Sequence, residues 1–270
     1  MLKDITIGQY YRADSVIHRM DPRTKIIGIF ALIILLFVCN QPLNFAMAAI
    51  FIFVVIKISK VPFKFVLRGI KPLVMILVFT GLINLFFTPG KELVRFYFLK
   101  ITQEGVEKSI FIIVRIFLLV IISSILTLTS TPSMITDGLE HLMAPLKILH
   151  VPVSEIAMMM SIALRFIPIL SDEADKIMKA QTARGADFES GNMITRVRKM
   201  IPIIIPLFVS AIKRASDLAT AMDARCYGIS KNRTKLHPLK YHRRDVTGYV
   251  IIVIFAATMI GCNYMNLFAG

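Results

Sequence analysis

Two short segments carry an arginine in surroundings that suit binding to a carboxylate. Ala183-Arg184-Gly185 and Ala224-Arg225-Cys226 lie 41 positions apart, and each follows an alanine-rich stretch. A guanidinium is a planar fork that pairs with a carboxylate through two hydrogen bonds. Small neighbours let another surface approach the backbone, and a glycine just beyond a helix supplies the left-handed residue that closes it. We interpret both segments as helix ends that contact a partner.

A single Ala-Arg-Gly segment has a simpler interpretation, a capped helix end whose cation complements the helix dipole. The internal repeat favours the binding interpretation. An offset of 41 positions aligns Ala174 with Ala215, Ala180 with Ala221, Ala183 with Ala224 and Arg184 with Arg225. Two such ends predict two partner subunits or a two-lobed partner. In the second copy the Cβ of Cys226 disfavours a left-handed backbone, and we expect Gly228 to take over the cap.

Other candidate residues are few. Arg115 and Arg165 lie inside apolar segments, where a charge is costly and often functional. Each could bind a substrate, but each could equally hold a neighbouring helix, and we interpret both as structural or intramembrane charges. Asp21 and Pro22 fit the N-cap and the first position of a helix.

No pattern for catalysis or metal binding is found in the sequence. The five histidines show no metal-ligand spacing, and the three cysteines are too widely spaced for a zinc cluster or a disulfide framework. A Walker phosphate loop and a nucleophile elbow are both absent. We therefore expect no catalytic residue, no metal site and no cofactor on this chain.

The elements that position these residues are predicted to be membrane helices. The chain has 270 residues, 56% of them hydrophobic, and the apolar residues come in long blocks. A hydrocarbon core takes roughly 20 mostly apolar residues per helical span. Such blocks exclude a soluble domain, a disordered chain and a coiled coil. Five spans are predicted, at 26–39, 43–56, 72–88, 109–128 and 246–264.

The distribution of charge predicts the orientation. Lys and Arg number 32 against 17 Asp and Glu, which gives a formal charge of +15. Loops rich in Lys and Arg stay in the cytoplasm, and both the segment before the first span and the loop at 57–71 are basic. We expect the N-terminus in the cytoplasm and the C-terminus outside. The basic excess is interpreted as the mark of cytoplasmic loops, with binding to anionic lipid or nucleic acid as weaker alternatives. The predicted surroundings are the lipid bilayer, and no nucleic-acid partner is expected.

Residues 132–244 contain two further apolar runs, 153–170 and 201–212, each followed by a charged, helix-prone tail. If both runs spanned the membrane, the charged stretch 171–199 would lie outside, against the charge bias, and the second run is short for a span. We expect instead two long helices that begin in the membrane and extend into the cytoplasm, where their arginine ends lie.

The predicted fold class is therefore all-α. It is a polytopic membrane protein with about five transmembrane helices and long coupling helices on the cytoplasmic side, at about 153–185 and 201–227. Three regions follow from this interpretation. They are an N-terminal membrane region of four helices at 1–131, a coupling region at 132–244 and a C-terminal transmembrane helix at 245–270.

These motifs resemble the transmembrane T component of energy-coupling factor (ECF) transporters. The two arginine segments look like the two Ala-Arg-Gly coupling motifs of that family, with Cys226 as a departure from its glycine. Three other segments are similar to the family in order and spacing: 15–25 (SVIHRMDPRTK), 126–132 (LTLTSTP) and 219–225 (ATAMDAR).

The resemblance implies a non-catalytic scaffold in the plasma membrane of a prokaryote. It would couple two cytoplasmic ABC ATPases, expected as a heterodimer, to a small substrate-capture (S) component that imports a vitamin or a metal ion. ATP and Mg²⁺ would be bound by the ATPases. The residues that contact them would be Ala183, Arg184, Gly185, Ala224, Arg225 and Cys226. The substrate, the assignment of each arginine to an ATPase, and whether the S component is dedicated or exchanged stay open.

Two other classes of function are weighed against this one. A self-contained secondary transporter or channel predicts discontinuous helices or paired mid-membrane charges in related halves, but the two halves of this sequence are not alike. A membrane-embedded enzyme predicts carboxylates or histidines clustered near the end of a span. The acidic residues are instead scattered through 132–244.

Overall fold

The computed structural model describes residues 10–96, 99–188, 190, 192–227 and 238–269. Within these ranges it has nine α-helices and one two-stranded antiparallel hairpin, with 3₁₀ turns at Lys71–Leu73 and Ala144–Leu149. The elements are α1 (Pro22–Val38), α2 (Pro42–Ser59), α3 (Phe63–Arg68), α4 (Val74–Phe87), β1 (Glu92–Phe96), β2 (Leu99–Thr102), α5 (Gln103–Thr129), α6 (Pro132–Leu142), α7 (Val153–Ala183), α8 (Met193–Ala224) and α9 (Arg243–Ala269).

Among the residues that the structure describes, five helical segments are long and apolar enough to cross a membrane: α2, Phe63–Phe87, α5, α7 and the part of α9 at Arg243–Asn263. This confirms the predicted all-α polytopic fold. The set differs from the predicted spans in two members. Helix α1 has 17 residues, about 26 Å at 1.5 Å per residue, and is not among the five. Helix α7, expected to enter the membrane only in part, is among them.

The chain contacts define two compact units, one built on α7 and α8 and the other on α1–α6 with α9. The second unit has a core centred on α5, whose buried residues recur every three or four positions. They are Leu118, Ile121, Ile122, Ile125 and Leu128. Helix α2 adds Phe45, Ala48, Ile52 and Ile56 to this core. Helices α1 and α9 approach closely, since a Cβ on Gly28 would lie 2.7 Å from the Ile252 side chain.

A buried polar cluster joins the start of α1 to the start of α9. Asp21 is the N-cap of α1, and its carboxylate accepts hydrogen bonds from the backbone and the guanidinium of Arg23. Asp245 is 1% exposed; it accepts the backbone N–H of Asp21 at 2.8 Å and that of His242 at 2.8 Å. Burial raises the pKa of Asp21, but the hydrogen bonds from Arg23 outweigh it and hold that pKa below its usual value.

The same cluster reaches the end of α5 through Lys25. Its ammonium donates to the carbonyl of Thr129 at 2.8 Å, to the hydroxyl of Ser130 at 3.1 Å and to the carbonyl of His18 at 3.3 Å. A cation at a helix C-terminus complements the helix dipole and satisfies carbonyls that the helix leaves free. Burial also lowers the pKa of His18. Because Lys25 bonds to both His18 and Thr129, and Asp21 bonds to Asp245, the segment before α1 is tied to both α5 and α9.

Candidate functional site

Helices α7 and α8 pack side by side and run in opposite directions. A guanidinium nitrogen of Arg214 lies 3.3 Å from a carboxylate oxygen of Glu173, in the C-terminal half of both helices. Just beyond the end of α8, the Tyr227 hydroxyl donates to the sulfur of Met158, near the start of α7. Because the second contact joins the end of α8 to the start of α7, the two helices are antiparallel. Arg184 therefore lies at the end of the pair where α8 begins, and Arg225 at the opposite end.

The side of α8 that contacts α7 is a half-buried stripe with helical spacing. It contains Lys199, Ile203, Leu207, Ala211, Arg214, Leu218 and Met222. Helix α8 begins at Met193, earlier than the expected start at 201, because the apolar residues of 193–200 (MITRVRKM) recur every three to four positions, as on one side of a helix. Helix α7 covers Val153–Ala183, close to the expected 153–185.

The first arginine end is closed by a Schellman motif. Helix α7 ends at Ala183, and Gly185 has a φ of 90°, in the left-handed region. The N–H of Gly185 donates to the carbonyl of Thr182 at 2.9 Å, and the N–H of Ala186 donates to that of Gln181 at 3.0 Å. These two hydrogen bonds satisfy carbonyls at the end of the helix.

The second end has the same closure although it lacks the glycine. The N–H of Cys226 donates to the carbonyl of Asp223 at 2.9 Å, and that of Tyr227 donates to Met222 at 3.0 Å. Cys226 itself adopts the left-handed conformation, with a φ of 57°. The expectation that Gly228 replaces it in the cap is therefore wrong; Gly228 itself lies outside the described residues. The backbone of the two arginine ends is thus equivalent, at a cost of about 1–2 kcal/mol for the Cβ of Cys226.

Both arginines are presented to the surroundings. Arg184 and Arg225 are exposed, and so are Ala183 and Ala224 beside them. Within the described parts of the chain, neither guanidinium has a hydrogen-bond or ion-pair partner. A Cβ placed on Gly185 would meet nothing within 4 Å. Each end therefore offers a free five-donor fork on a helix terminus beside an exposed alanine, an arrangement suited to a carboxylate on another protein.

The connector after the first arginine end is held against α8. The ammonium of Lys199 donates to the carbonyl of Ser190 at 3.0 Å and to its hydroxyl at 2.9 Å, and it lies 3.7 Å from the carboxylate of Asp187. These contacts fix where the chain leaves Arg184. They also explain why a short connector can reverse the chain between two helices of about 30 residues each.

The left-handed residues give a matched pair of variants. We expect Gly185→Ala to destabilise the α7–α8 unit by about 1 kcal/mol, because a Cβ at a positive φ is strained. Cys226→Gly removes the same strain but adds freedom to the unfolded chain, so its effect lies between about 0 and 1 kcal/mol of stabilisation. Thermal unfolding followed by circular dichroism measures both. A large loss with Cys226→Gly would contradict the purely conformational role and point to the thiol.

Arg115 and Arg165 have different surroundings. The guanidinium of Arg115 donates to the side-chain carbonyl of Asn40 at 2.5 Å and lies 5.5 Å from the ring centre of Phe45. It thereby fastens the turn between α1 and α2 to α5. Arg165 is exposed on α7, and among the described residues it has no hydrogen-bond or ion-pair partner.

These surroundings predict unequal effects of removing the two charges. Arg115→Met loses a hydrogen bond and cation–π contacts, and we expect it to lower the stability by about 1–2 kcal/mol. Arg165→Met is expected to change it by less than about 0.5 kcal/mol. Denaturation in detergent compares the two variants, and Asn40→Ala serves as a control because it removes the same hydrogen bond from the other side. Equal losses for both arginines would contradict this assignment.

The Glu173–Arg214 pair was not predicted from the sequence motifs. A signal for it exists, because the 41-residue offset aligns these two positions with opposite charges.

The structure describes no group of three or more His, Cys, Asp or Glu side chains that could hold a metal ion in residues 10–96, 99–188, 190, 192–227 and 238–269.

Comparison with known proteins agrees with the motifs and the fold. Residues 13–236 match the family model CbiQ, described as cobalt transport protein. The chain is 50% identical over 265 residues to the energy-coupling factor transporter transmembrane protein EcfT of Ruminiclostridium cellulolyticum, covering 98% of this chain and 99% of the relative. It is 44% identical over 260 residues to EcfT of Bacillus subtilis, covering 96% and 98%. With its five apolar helices, this multi-pass membrane chain therefore belongs to the family of EcfT, the transmembrane protein of energy-coupling factor transporters.

Proposed function

We propose that this chain is the membrane scaffold of an ATP-driven ECF-type uptake transporter. It couples ATP hydrolysis by two cytoplasmic ABC ATPases to a conformational change of an S component that imports a vitamin or a metal ion. The observation that carries this proposal is the pair of exposed arginines in equivalent Schellman motifs at opposite ends of one antiparallel helix pair. The chain is not itself catalytic, and ATP and Mg²⁺ are bound by the ATPases.

Each arginine end serves one ATPase. A free guanidinium pairs with a carboxylate through two hydrogen bonds, and the exposed alanines beside it, Ala183 and Ala224, leave room for a close contact. Because Arg184 and Arg225 lie at opposite ends of the pair, one ATPase cannot easily take both. A movement of the two ATPases toward each other is then transmitted along α7 and α8, since packed helices move as rigid elements.

A second feature supports contact with other membrane components. Helix α8 carries an apolar stripe on the side that does not contact α7. Its members recur every three or four residues and are 46–83% exposed: Ile194, Val197, Met200, Ile201, Ile204, Ile205, Phe208, Val209 and Ile212. Residues 194–212 extend over about 27 Å of helix. A continuous exposed apolar stripe of this length is typical of a surface that contacts a partner or lipid. We propose that the S component and lipid contact it here.

The orientation follows from charge and is part of the proposal. The N-terminus lies in the cytoplasm and the C-terminus outside, because the segment before α1 and the α2–α4 connection carry the Lys and Arg excess. We also place both arginine ends on the cytoplasmic side, where ATP is available to the ATPases. Because the two ends lie at opposite ends of an antiparallel pair, this placement has α7 and α8 lying along the membrane surface rather than across it. The membrane is the plasma membrane of a prokaryote.

Co-purification tests the proposed function directly. The tagged chain is expressed with the neighbouring genes of its own genome and extracted in mild detergent, as wild type and as the Arg184→Ala/Arg225→Ala double variant. We expect two ABC ATPases and a small membrane protein with the wild type, and loss of the ATPases from the double variant. The small protein then identifies the substrate, and its identity in repeated preparations shows whether it is dedicated or exchanged.

The alternative, a self-contained secondary transporter or channel, predicts a different result. In that case the chain purifies alone and moves a solute into vesicles without ATP. Transport by the isolated chain would overturn the scaffold proposal and make Arg115 and Arg165 the residues to test next.

A further inference from the structure

An ion pair between α7 and α8 lies at the beginning of the internal repeat, one position before Ala174 and Ala215. Glu173 and Arg214 form an ion pair, and they also occupy equivalent positions at the offset of 41 that aligns Arg184 with Arg225. In an antiparallel pair of related helices, equivalent residues meet only near the axis of the two-fold rotation that exchanges the helices. The ion pair therefore marks that axis.

This position makes the ion pair the midpoint between the two arginine ends. Arg184 lies 11 residues beyond Glu173, and Arg225 lies 11 residues beyond Arg214. At about 1.5 Å per residue, each arginine is about 16 Å along the helix from the ion pair, in opposite directions. The two arginines are thus about 33 Å apart along the pair. A slip of one helix by one turn would change this separation by about 5 Å.

Several half-buried neighbours of the ion pair are small or aliphatic. On α8, the stripe residues on either side of Arg214 are Ala211 and Leu218, and on α7 Ala174 follows Glu173. Small and aliphatic side chains slide past one another at low cost, whereas a polar pair within such an interface specifies register. The Nε of Arg214 is buried and has no hydrogen-bond partner among the described residues, so the carboxylate of Glu173 is what compensates this cation.

We propose that Glu173 and Arg214 are positioning residues that set the separation of the two arginine ends. The separation is a property of this chain alone. Its consequence for coupling rests on the proposed function, because the separation has to match the two docking sites on the ATPases.

The test measures the distance between spin labels on the two helices. Labels are placed at Lys179→Cys and Thr220→Cys, which are equivalent, exposed and outside the arginine segments, in a full chain whose native cysteines are replaced by serine. We expect one narrow distance in this background. Glu173→Arg and Arg214→Glu should each broaden the distribution or shift it by about 5 Å. In the complex, ATPase activity coupled to transport should fall roughly fivefold, equivalent to about 1 kcal/mol.

The charge swap is the decisive variant. Because the two positions are related by the two-fold axis, Glu173→Arg/Arg214→Glu together rebuild the same ion pair in the exchanged orientation. We expect the swap to restore the narrow distance and most of the coupled activity. Asp217→Arg changes an exposed charge on the same helix and should leave the distance unaltered. If a single reversal fails to insert, Glu173→Gln removes the charge with little change of shape and tests the same point.

Two results would overturn the inference: a narrow, unshifted distance in Glu173→Gln and both reversals, or a swap that behaves no better than the single reversals. These results are distinguishable from failure of the proposed function. The distance is measured on the isolated chain, whereas the proposed function fails only if ATPases do not co-purify or do not need Arg184 and Arg225.

Discussion

Reversing both arginine charges should separate the chain from its ATPases. In Arg184→Glu/Arg225→Glu, each carboxylate on the ATPases faces another carboxylate instead of a guanidinium that donates two hydrogen bonds. Losing one partner of an interfacial charge pair costs about 2–5 kcal/mol, and repulsion adds to it. We expect the affinity for the ATPase pair to fall by more than about 100-fold. The affinity is measured between the chain in lipid nanodiscs and the purified ATPases.

The single variants and a matched control make this experiment specific. Because the two arginines lie at opposite ends of the α7–α8 pair, we expect each single reversal to weaken the contact with one ATPase only. Lys176→Glu makes the same change of charge at an exposed position of α7, and it should bind both ATPases normally. Wild-type affinity and coupled ATPase activity in the double reversal would falsify the docking assignment.

Removing the carboxylate of Asp245 should have the largest effect on stability. Asp245→Ala leaves the buried N–H groups of Asp21 and His242 without acceptors and removes a negative charge near Lys25. Breaking a buried charged network costs about 3–5 kcal/mol. We expect the Tm to fall by about 10 °C. Asp245→Asn keeps one acceptor and should lose about half as much.

The measurement has to suit this chain. It contains no tryptophan, so unfolding is followed by circular dichroism in detergent rather than by intrinsic indole fluorescence. Asp217→Ala removes an exposed carboxylate and is the matched control, expected to stay within about 0.5 kcal/mol of wild type. An Asp245→Ala protein as stable as this control would show that α1 and α9 are held together by apolar packing alone.

The sequence was most informative where function depends on local chemistry. The blocks of apolar residues predicted the all-α membrane fold, because the bilayer requires about 20 such residues per helix. The segments Ala183-Arg184-Gly185 and Ala224-Arg225-Cys226 indicated where α7 and α8 end. Cys226 was less predictable, since the strain of a left-handed residue is offset by hydrogen bonds that form only in the folded cap.

Contacts between distant segments could not be derived in this way. Asp245 lies in a basic stretch, and nothing near it indicates a hydrogen bond to Asp21, 224 positions earlier. The opposite directions of α7 and α8 also arise from packing, which local propensity does not encode. The 17-residue length of α1 depends on where its C-terminus is capped at Cys39, and a count of apolar residues does not determine that position.

The exposed apolar stripe of α8 has a consequence for the life of the protein in the cell. A newly made copy without partners displays nine large apolar side chains in a row, a pattern that chaperones and membrane proteases recognise in unassembled subunits. Surplus copies should therefore be degraded, and the cellular amount of this chain should follow that of the subunit that covers α8. Balanced synthesis of the subunits then becomes a requirement for accumulating the transporter at all.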